Sequence, residues 1–188
     1  DVAIADGRKP AVGGGNAGIS TASQLLRKNK QLDIAIIEPS EKHYYQPAWT
    51  LVGAGVFDVN KTIRNEADVM PKNVKWIKQK VVSFQPDANS ITLDNNETVS
   101  YQYLIVAPGI QLNWSAVKGL PETIGKNNVT SNYSFDYAPY TFECIKEMKP
   151  GMTALFTSPS TALKCGGAPQ KITYLAADYF RKHDLKGK

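Results

Sequence analysis

The stretch AVGGGNAGISTASQLLRKNKQLDIAIIEPS, residues 11–40, decides the fold. A short apolar lead runs into glycines and then into a segment where Ile19, Ala22, Leu25 and Leu26 are spaced for one buried helical face. A fully apolar strand, Ile34 to Ile37, closes the stretch. Strand, helix and strand in this order make a β-α-β unit. Gly13, Gly15 and Gly18 satisfy GxGxxG, and Glu38 falls 20 residues after Gly18, at the end of the second strand. The spacing has a mechanism. The first glycine makes the tight turn, the second lets backbone approach a pyrophosphate, and the third lets the helix pack on the strand. Amides at the helix N-terminus then face the phosphates, and the acidic side chain takes a ribose hydroxyl. A lone GxGxxG is equally the mark of a flexible glycine loop; the helix, the strand and Glu38 together favour the dinucleotide site.

Upstream, Pro10 interrupts the strand that leads into the glycines, leaving only AV preceded by DGRKP. Either Val2 to Ala5 is a displaced piece of that strand, or the start of the chain is altered. Downstream, residues 74–94 read as successive strands with turns at PDANS and DNNE, antiparallel strands inserted after the β-α-β unit. An apolar strand, Leu104 to Ala107, follows and ends in Pro108 and Gly109, placed to lie beside the first unit. The segment TFECIKEMKP reads as a short amphipathic helix with Phe142, Ile145 and Met148 on one side and Cys144 as a core or boundary residue. MTALFT reads as a new apolar strand, then comes a glycine-bearing loop with Cys165, then a helix over QKITYLAADYFRKHD. That is the start of a second β-α-β unit. The expected division is a Rossmann-like domain over 1–145 and a truncated second dinucleotide fold over 146–188.

The totals narrow the class. A chain of 188 residues with 42% hydrophobic content can bury a real core, which argues against disorder. Its formal charge of +5 comes from lysines spread along the chain rather than gathered in a block, a pattern that suits a solvated basic surface better than nucleic acid. Two cysteines without CxxC spacing make neither a disulfide framework nor a zinc site, and point to a reducing compartment. No stretch reaches the roughly 20 apolar residues needed to cross a bilayer, and no signal peptide is visible. Asp1 in place of a start methionine, with the last residues FRKHDLKGK directly after a helix, reads as a processed form or a fragment. The four Asn-x-Ser/Thr sequons at Asn96, Asn113, Asn128 and Asn132 are expected to be chance matches in an Asn-rich chain.

Several longer segments carry more. GGGNAG, EPSEKHYYQPAWTLVGAG, YLIVAPGIQL, SNYS and above all KCGGAPQKITYLAADYFRK resemble the sulfide:quinone oxidoreductases of mitochondrial type, flavoproteins of the disulfide-reductase superfamily. The likeness runs from about Ala11 onward. It implies an α/β enzyme of two dinucleotide folds that holds FAD, oxidises hydrogen sulfide, passes sulfane sulfur to glutathione, sulfite or cyanide, and reduces ubiquinone. It also implies a mitochondrial site on the inner membrane, with peripheral contact through C-terminal parts beyond these residues, and no nucleic acid or metal. Carried over residue by residue, Asn16 and Ala17 meet the phosphates through backbone groups beside Gly13, Gly15 and Gly18. Glu38 takes the adenosine ribose, Gln46 another part of the cofactor, and Val81 the adenine through its main chain. Gly109 fits the turn in which the superfamily usually has a threonine before the glycine, where this chain has Pro108. Cys165 matches the first of the family's two sulfur-carrying cysteines. The second falls in a region these residues do not include, so the 188 residues alone are expected to lack turnover.

The resemblance gives the loop around Cys165 a chemical sense. A thiolate is the attacking species, and an ordinary cysteine with a pKa of about 8.5 is mostly protonated at neutral pH, so a cation and a helix N-terminus nearby help to ionise it. Lys164 and the APQKI helix start supply both, while Gly166 and Gly167 let a flavin and a growing polysulfide come close. Without the resemblance, a buried structural cysteine in a tight turn would explain the same residues. Two rival functions stay open. A type II NADH:quinone oxidoreductase shares the fold but needs no reactive cysteine and does need a second GxGxxG, which PSTALKCGGAP does not match; a non-catalytic FAD-binding or chaperone-like fragment would be expected to fold when isolated without flavin.

Overall fold

The computed structural model describes residues 11–158 and 164–185. Val2 to Ala5 and Pro10 lie outside these residues. In chain order the elements are β1 (Ala11–Val12), α1 (Asn16–Lys28), β2 (Ile34–Ile37), β3 (Lys42–Tyr44), α2 (Trp49–Val52), β4 (Ile63–Asn65), α3 (Glu66–Val69), β5 (Val74–Ile77), β6 (Val81–Gln85), β7 (Ser90–Leu93), β8 (Thr98–Ser100), β9 (Ile105–Val106), α4 (Leu120–Thr123), α5 (Ala138–Glu147) and α6 (Ala168–Lys182). They form two compact units. One holds the chain through His43 together with Arg64–Gly109; the other holds Tyr44–Ile63 and the chain from Ile110.

The first unit is an α/β sandwich around a parallel sheet in the order β5-β2-β1-β9. Its centre explains why β2 is apolar at every position. Alternate strand residues point to opposite faces. Ile34 and Ile36 therefore pack with Ala22, Ile19 and Leu25 of α1, whereas Ala35 and Ile37 pack with Val81, Ile91, Leu93 and Val99. Those last four come from a separate antiparallel sheet, β6-β7-β8. With both faces covered, no position of β2 is left for a polar residue. Ile34, Ile36 and Ile37 are each 0–1% exposed, which stabilises the unit by about 1.5–3 kcal/mol per side chain. The expected β-α-β unit and inserted strands are present. β5, however, joins the parallel sheet beside β2 rather than the antiparallel one. Both hairpin turns use asparagines at positive φ, Asn89 (45°) and Asn96 (66°), the left-handed conformation that Asn tolerates better than most residues.

In α1 the glycine Gly15 caps the N-terminus, Gly18 and Ala22 are buried, and Arg27 and Lys28 occupy the last turn, where cations complement the helix dipole.

The second unit is mainly helical. Phe142 and Ile145 of α5, Ile172 and Ala176 of α6, and Ala54 form one cluster. Trp49, Val52 and Ala138 form another, joined by Val59 and Phe135. The Trp49 indole donates to Thr62 Oγ1 at 3.0 Å, so its one polar atom is satisfied inside the cluster.

Three boundaries differ from expectation. α5 starts at Ala138, with Pro139 in its first turn, a position where the missing N–H costs nothing. Met148 follows its end in an extended conformation and so is not part of the helical face. α6 begins at Ala168, again with a proline in its first turn. The MTALFT strand is a correction: residues 152–158 form no strand, and Leu155 is 83% exposed. A strand needs a neighbouring edge for its backbone groups, and none of the described residues offers one there.

Candidate functional site

The turn between β1 and α1 is built around three glycines, each constrained differently. Gly13 has φ +95°, and a Cβ there would strike the backbone carbonyl of Ala107 just after β9. Gly14 is crowded by two carboxylate side chains, with Glu66 Oε1 2.5 Å and Glu38 Cγ 2.7 Å from where its Cβ would lie. Gly15 is different: its φ is −66°, and a Cβ would meet nothing within 4 Å. The chain's own packing therefore does not require glycine at position 15. The turn opens a helix whose first amides have no partner within it. Gly15, Asn16 and Ala17 are all exposed. The residues present fit a dinucleotide held by its phosphates at this turn.

Glu38 stands at the end of β2, half-buried beside the turn. Its Oε2 accepts the Gly14 amide at 2.9 Å and its Oε1 the Ser40 amide at 2.8 Å. Each oxygen keeps one acceptor position for a hydroxyl. The Trp76 indole donates to the Glu38 carbonyl at 2.8 Å, tying that residue to β5.

A second carboxylate, Glu66, lies within the same unit and is 1% exposed. Its Oε2 is 3.3 Å from His43 Nδ1, which also lies 3.2 Å from the Gly14 carbonyl. Glu66 Oε1 has no hydrogen-bond partner among the described residues. Burial pushes the Glu66 carboxyl above its ordinary range; His43 opposes the rise and the Glu38 carboxylate adds to it. An acid whose folded-state pKa is raised gives its full stabilisation below the ordinary value and loses it as pH climbs through the raised one. Glu66→Gln, which does not titrate, is therefore expected to gain stability relative to the native protein across that window. Urea titrations from below the ordinary carboxylate range up to neutrality check this. A difference between the two that stays flat with pH would remove the claim.

The second unit holds the other candidates. Gln46 opens a one-turn 3-10 helix, Gln46–Ala48, with Pro47 in its first turn. Lys164 Nζ donates to Gln46 Oε1, so the residue before Cys165 is engaged with Gln46. Cys165 is exposed as a free thiol, and its carbonyl accepts the Ala168 amide at 2.9 Å in the turn that starts α6. Among the described residues, a Cβ on Gly166 or on Gly167 would meet nothing within 4 Å. Cys144 is the contrasting thiol: it sits partly buried on α5, and desolvation pushes its pKa up while a hydrogen bond with Tyr140 acts the other way.

The first unit thus gathers Gly13, Gly15, Asn16, Ala17, Gly18 and Glu38 around one turn. Gly109, at φ +74°, follows Pro108, whose Cα lies near Gly13. Val81 starts β6, opposite Leu93 of β7, with its side chain in the core. Gln46 and Cys165 belong to the second unit and are linked there through Lys164. Sequence reasoning missed Gly14, His43 and Glu66. Glu66 sits in the polar run RNEAD, where nothing in the pattern marks it as buried. Among the described residues there is no group of His, Cys, Asp or Glu that could hold a metal ion, and no helix long and apolar enough to cross a membrane.

A parallel sheet entered through a glycine turn, with an acidic residue ending its second strand, defines a class of dinucleotide-binding oxidoreductases. The family model for pyridine nucleotide-disulphide oxidoreductase matches residues 11–140, and the chain belongs to that family. Within it, the chain is 52% identical over 178 residues to a mitochondrial sulfide:quinone oxidoreductase of Dictyostelium discoideum, covering 94% of this chain and 39% of that protein. It is 46% identical over 171 residues to the mouse protein of the same name, covering 91% and 38%. The chain spans about two fifths of the length of these curated relatives. The crystal structure of the sulfide:quinone oxidoreductase from Aquifex aeolicus shares the fold, with a TM-score of 0.71 at 24% identity over 93% of this chain and 40% of that one.

Proposed function

We propose that these residues are the dinucleotide-binding portion of an FAD-dependent sulfide:quinone oxidoreductase acting in mitochondria. Hydrogen sulfide is its electron donor, ubiquinone its acceptor, and a small nucleophile such as glutathione, sulfite or cyanide the taker of sulfane sulfur. The observation that carries the reading is the exposed thiol of Cys165, in a loop whose two glycines have open space around them among the described residues. It belongs to a chain whose relatives are named for sulfide oxidation.

The chain's residues divide the work. Gly13, Gly15, Asn16, Ala17 and Gly18 hold the phosphates of FAD, Glu38 a ribose hydroxyl, and the main chain of Val81 the adenine, with Gly109 in the turn beside them. When bound, FAD supplies a two-electron relay between sulfur and quinone. Cys165, as thiolate, carries sulfur taken from sulfide as a persulfide. Joining the two sulfurs releases two electrons, which is why the reaction needs such a relay. The glycines leave room for the added sulfur.

The test uses the full-length protein. Released flavin is identified as FAD, and reduction of a ubiquinone analogue is followed with sulfide or NADH as donor. Sulfide-driven reduction without NADH-driven reduction supports the reading, and the reverse selects a type II NADH:quinone oxidoreductase. For the cradle itself, Glu38→Ala is expected to weaken FAD retention by about 1.5–3 kcal/mol, the worth of a hydrogen bond to a charged acceptor. Unchanged flavin occupancy after gel filtration would count against Glu38 as the ribose ligand.

A further inference from the structure

We infer that His43 and Glu66 are a positioning pair for the phosphate-binding turn. They fix the Gly14 carbonyl inward, so that the Gly15 amide is presented outward to a dinucleotide's phosphates. The inference rests on the FAD reading above and extends it to residues that touch no cofactor.

A carbonyl oxygen can only accept a hydrogen bond. The 3.2 Å approach of His43 Nδ1 to the Gly14 carbonyl therefore assigns the hydrogen to Nδ1, and that same N–H points toward Glu66 Oε2 at 3.3 Å. Gly14 is then held at both ends, its amide by Glu38 and its carbonyl by His43. In a planar trans peptide the carbonyl of one residue and the amide of the next point in opposite directions. With the Gly14 carbonyl drawn to His43, the Gly15 N–H is directed away from it, on a residue that is exposed.

Glu66 supplies the second, independent sign. Its side chain is 2% exposed, and its Oε1, without a hydrogen-bond partner among the described residues, lies against Gly14. An unsatisfied buried carboxyl oxygen is costly to fold around, and an apolar residue would fill the same space more cheaply. The carboxylate anchors the ring that anchors the turn. Gly14 has no Cβ because one would collide with this carboxylate, so its absence lets the pair come close enough to act.

The test titrates FAD into the flavin-stripped full-length protein and records the phosphorus NMR signals of the bound pyrophosphate. His43→Leu, which removes the donor, is expected to weaken FAD binding about tenfold, the scale of one lost hydrogen bond, and to shift the pyrophosphate signals. His43→Asn, whose side-chain amide can place an N–H near the position of Nδ1, is expected to restore most of both. Unchanged affinity and signals in His43→Leu, or no difference between the two variants, would overturn the inference even if melting temperatures fall. If His43→Leu does not fold, His43→Gln moves the donor one bond further out and is read the same way. Should the native protein itself fail to bind FAD, the proposed function is what fails, and the inference falls with it.

Discussion

In the full-length protein, Cys165→Ser is expected to lower sulfide-dependent quinone reduction by orders of magnitude while leaving FAD content and melting behaviour close to native. The fold should survive because Cys165 is exposed and lies in no core cluster, and serine is nearly the same size. Turnover should collapse because an unactivated hydroxyl is a poor nucleophile and cannot hold a persulfide. Cys144→Ser is the control. Its thiol is partly buried on α5, with a pKa raised by desolvation, so it is held away from the reactive thiolate form. That variant is expected to lose some stability and keep most of its turnover. Sulfide-dependent bleaching of the flavin, measured in both variants, decides the matter. Bleaching retained in Cys165→Ser, or lost only in Cys144→Ser, would move the chemistry away from the loop before α6.

Gly13→Ala is expected to be the most damaging single methyl addition in the first unit. At φ +95° a side chain costs about 1–2 kcal/mol in backbone strain alone. The added Cβ would also strike the carbonyl of Ala107, and that oxygen belongs to the backbone leaving the sheet, so it cannot turn aside as a flexible side chain could. Overpacking of this kind adds about 1–3 kcal/mol. The total, roughly 2–5 kcal/mol, is a large fraction of the stability of an ordinary domain. A falling urea midpoint and loss of bound flavin during purification are the expected signs. Gly15→Ala is the comparison, because its Cβ has free space within the chain. It should fold normally yet bind flavin poorly. Equal stability of Gly13→Ala and Gly15→Ala would mean that the β1 turn relaxes far more than its geometry suggests.

The legible part of this fold was the part governed by neighbours in sequence. Ile34 to Ile37 announces a buried strand because every position is apolar, and the helical spacing of Ile19, Ala22, Leu25 and Leu26 survives intact in α1. The proline at position 139 carried the true start of α5, a signal passed over in favour of the apolar spacing that begins later. MTALFT failed for the opposite reason: its apolar residues fit a strand, but a strand exists only where another edge receives it. Within the candidate site, the glycine spacing and Glu38 could be read directly and Cys165 drew notice by its small neighbours, whereas Gln46, Val81 and a role for Cys165 rested on resemblance to relatives. His43 and Glu66 gave no signal, because their meaning lies in meeting Gly14 across 29 and more residues of chain.

The sheet order fixes a timetable for synthesis. β1 and its glycine turn emerge first, and β2 can pair with β1 soon afterward, but the other neighbour of β1 is β9, with Ala11 opposite Ile105 and Val12 opposite Val106. Pairings between distant parts of the chain form slowly, because the intervening loop must be closed before the contact repays it. Until β9 arrives, β1 keeps one edge bare, and a bare edge is an invitation to mispairing. The seat of Gly13 beside Ala107 is missing for as long. The glycine turn after β1 is translated well before β9, yet it cannot take its final shape until residue 107 has left the exit tunnel.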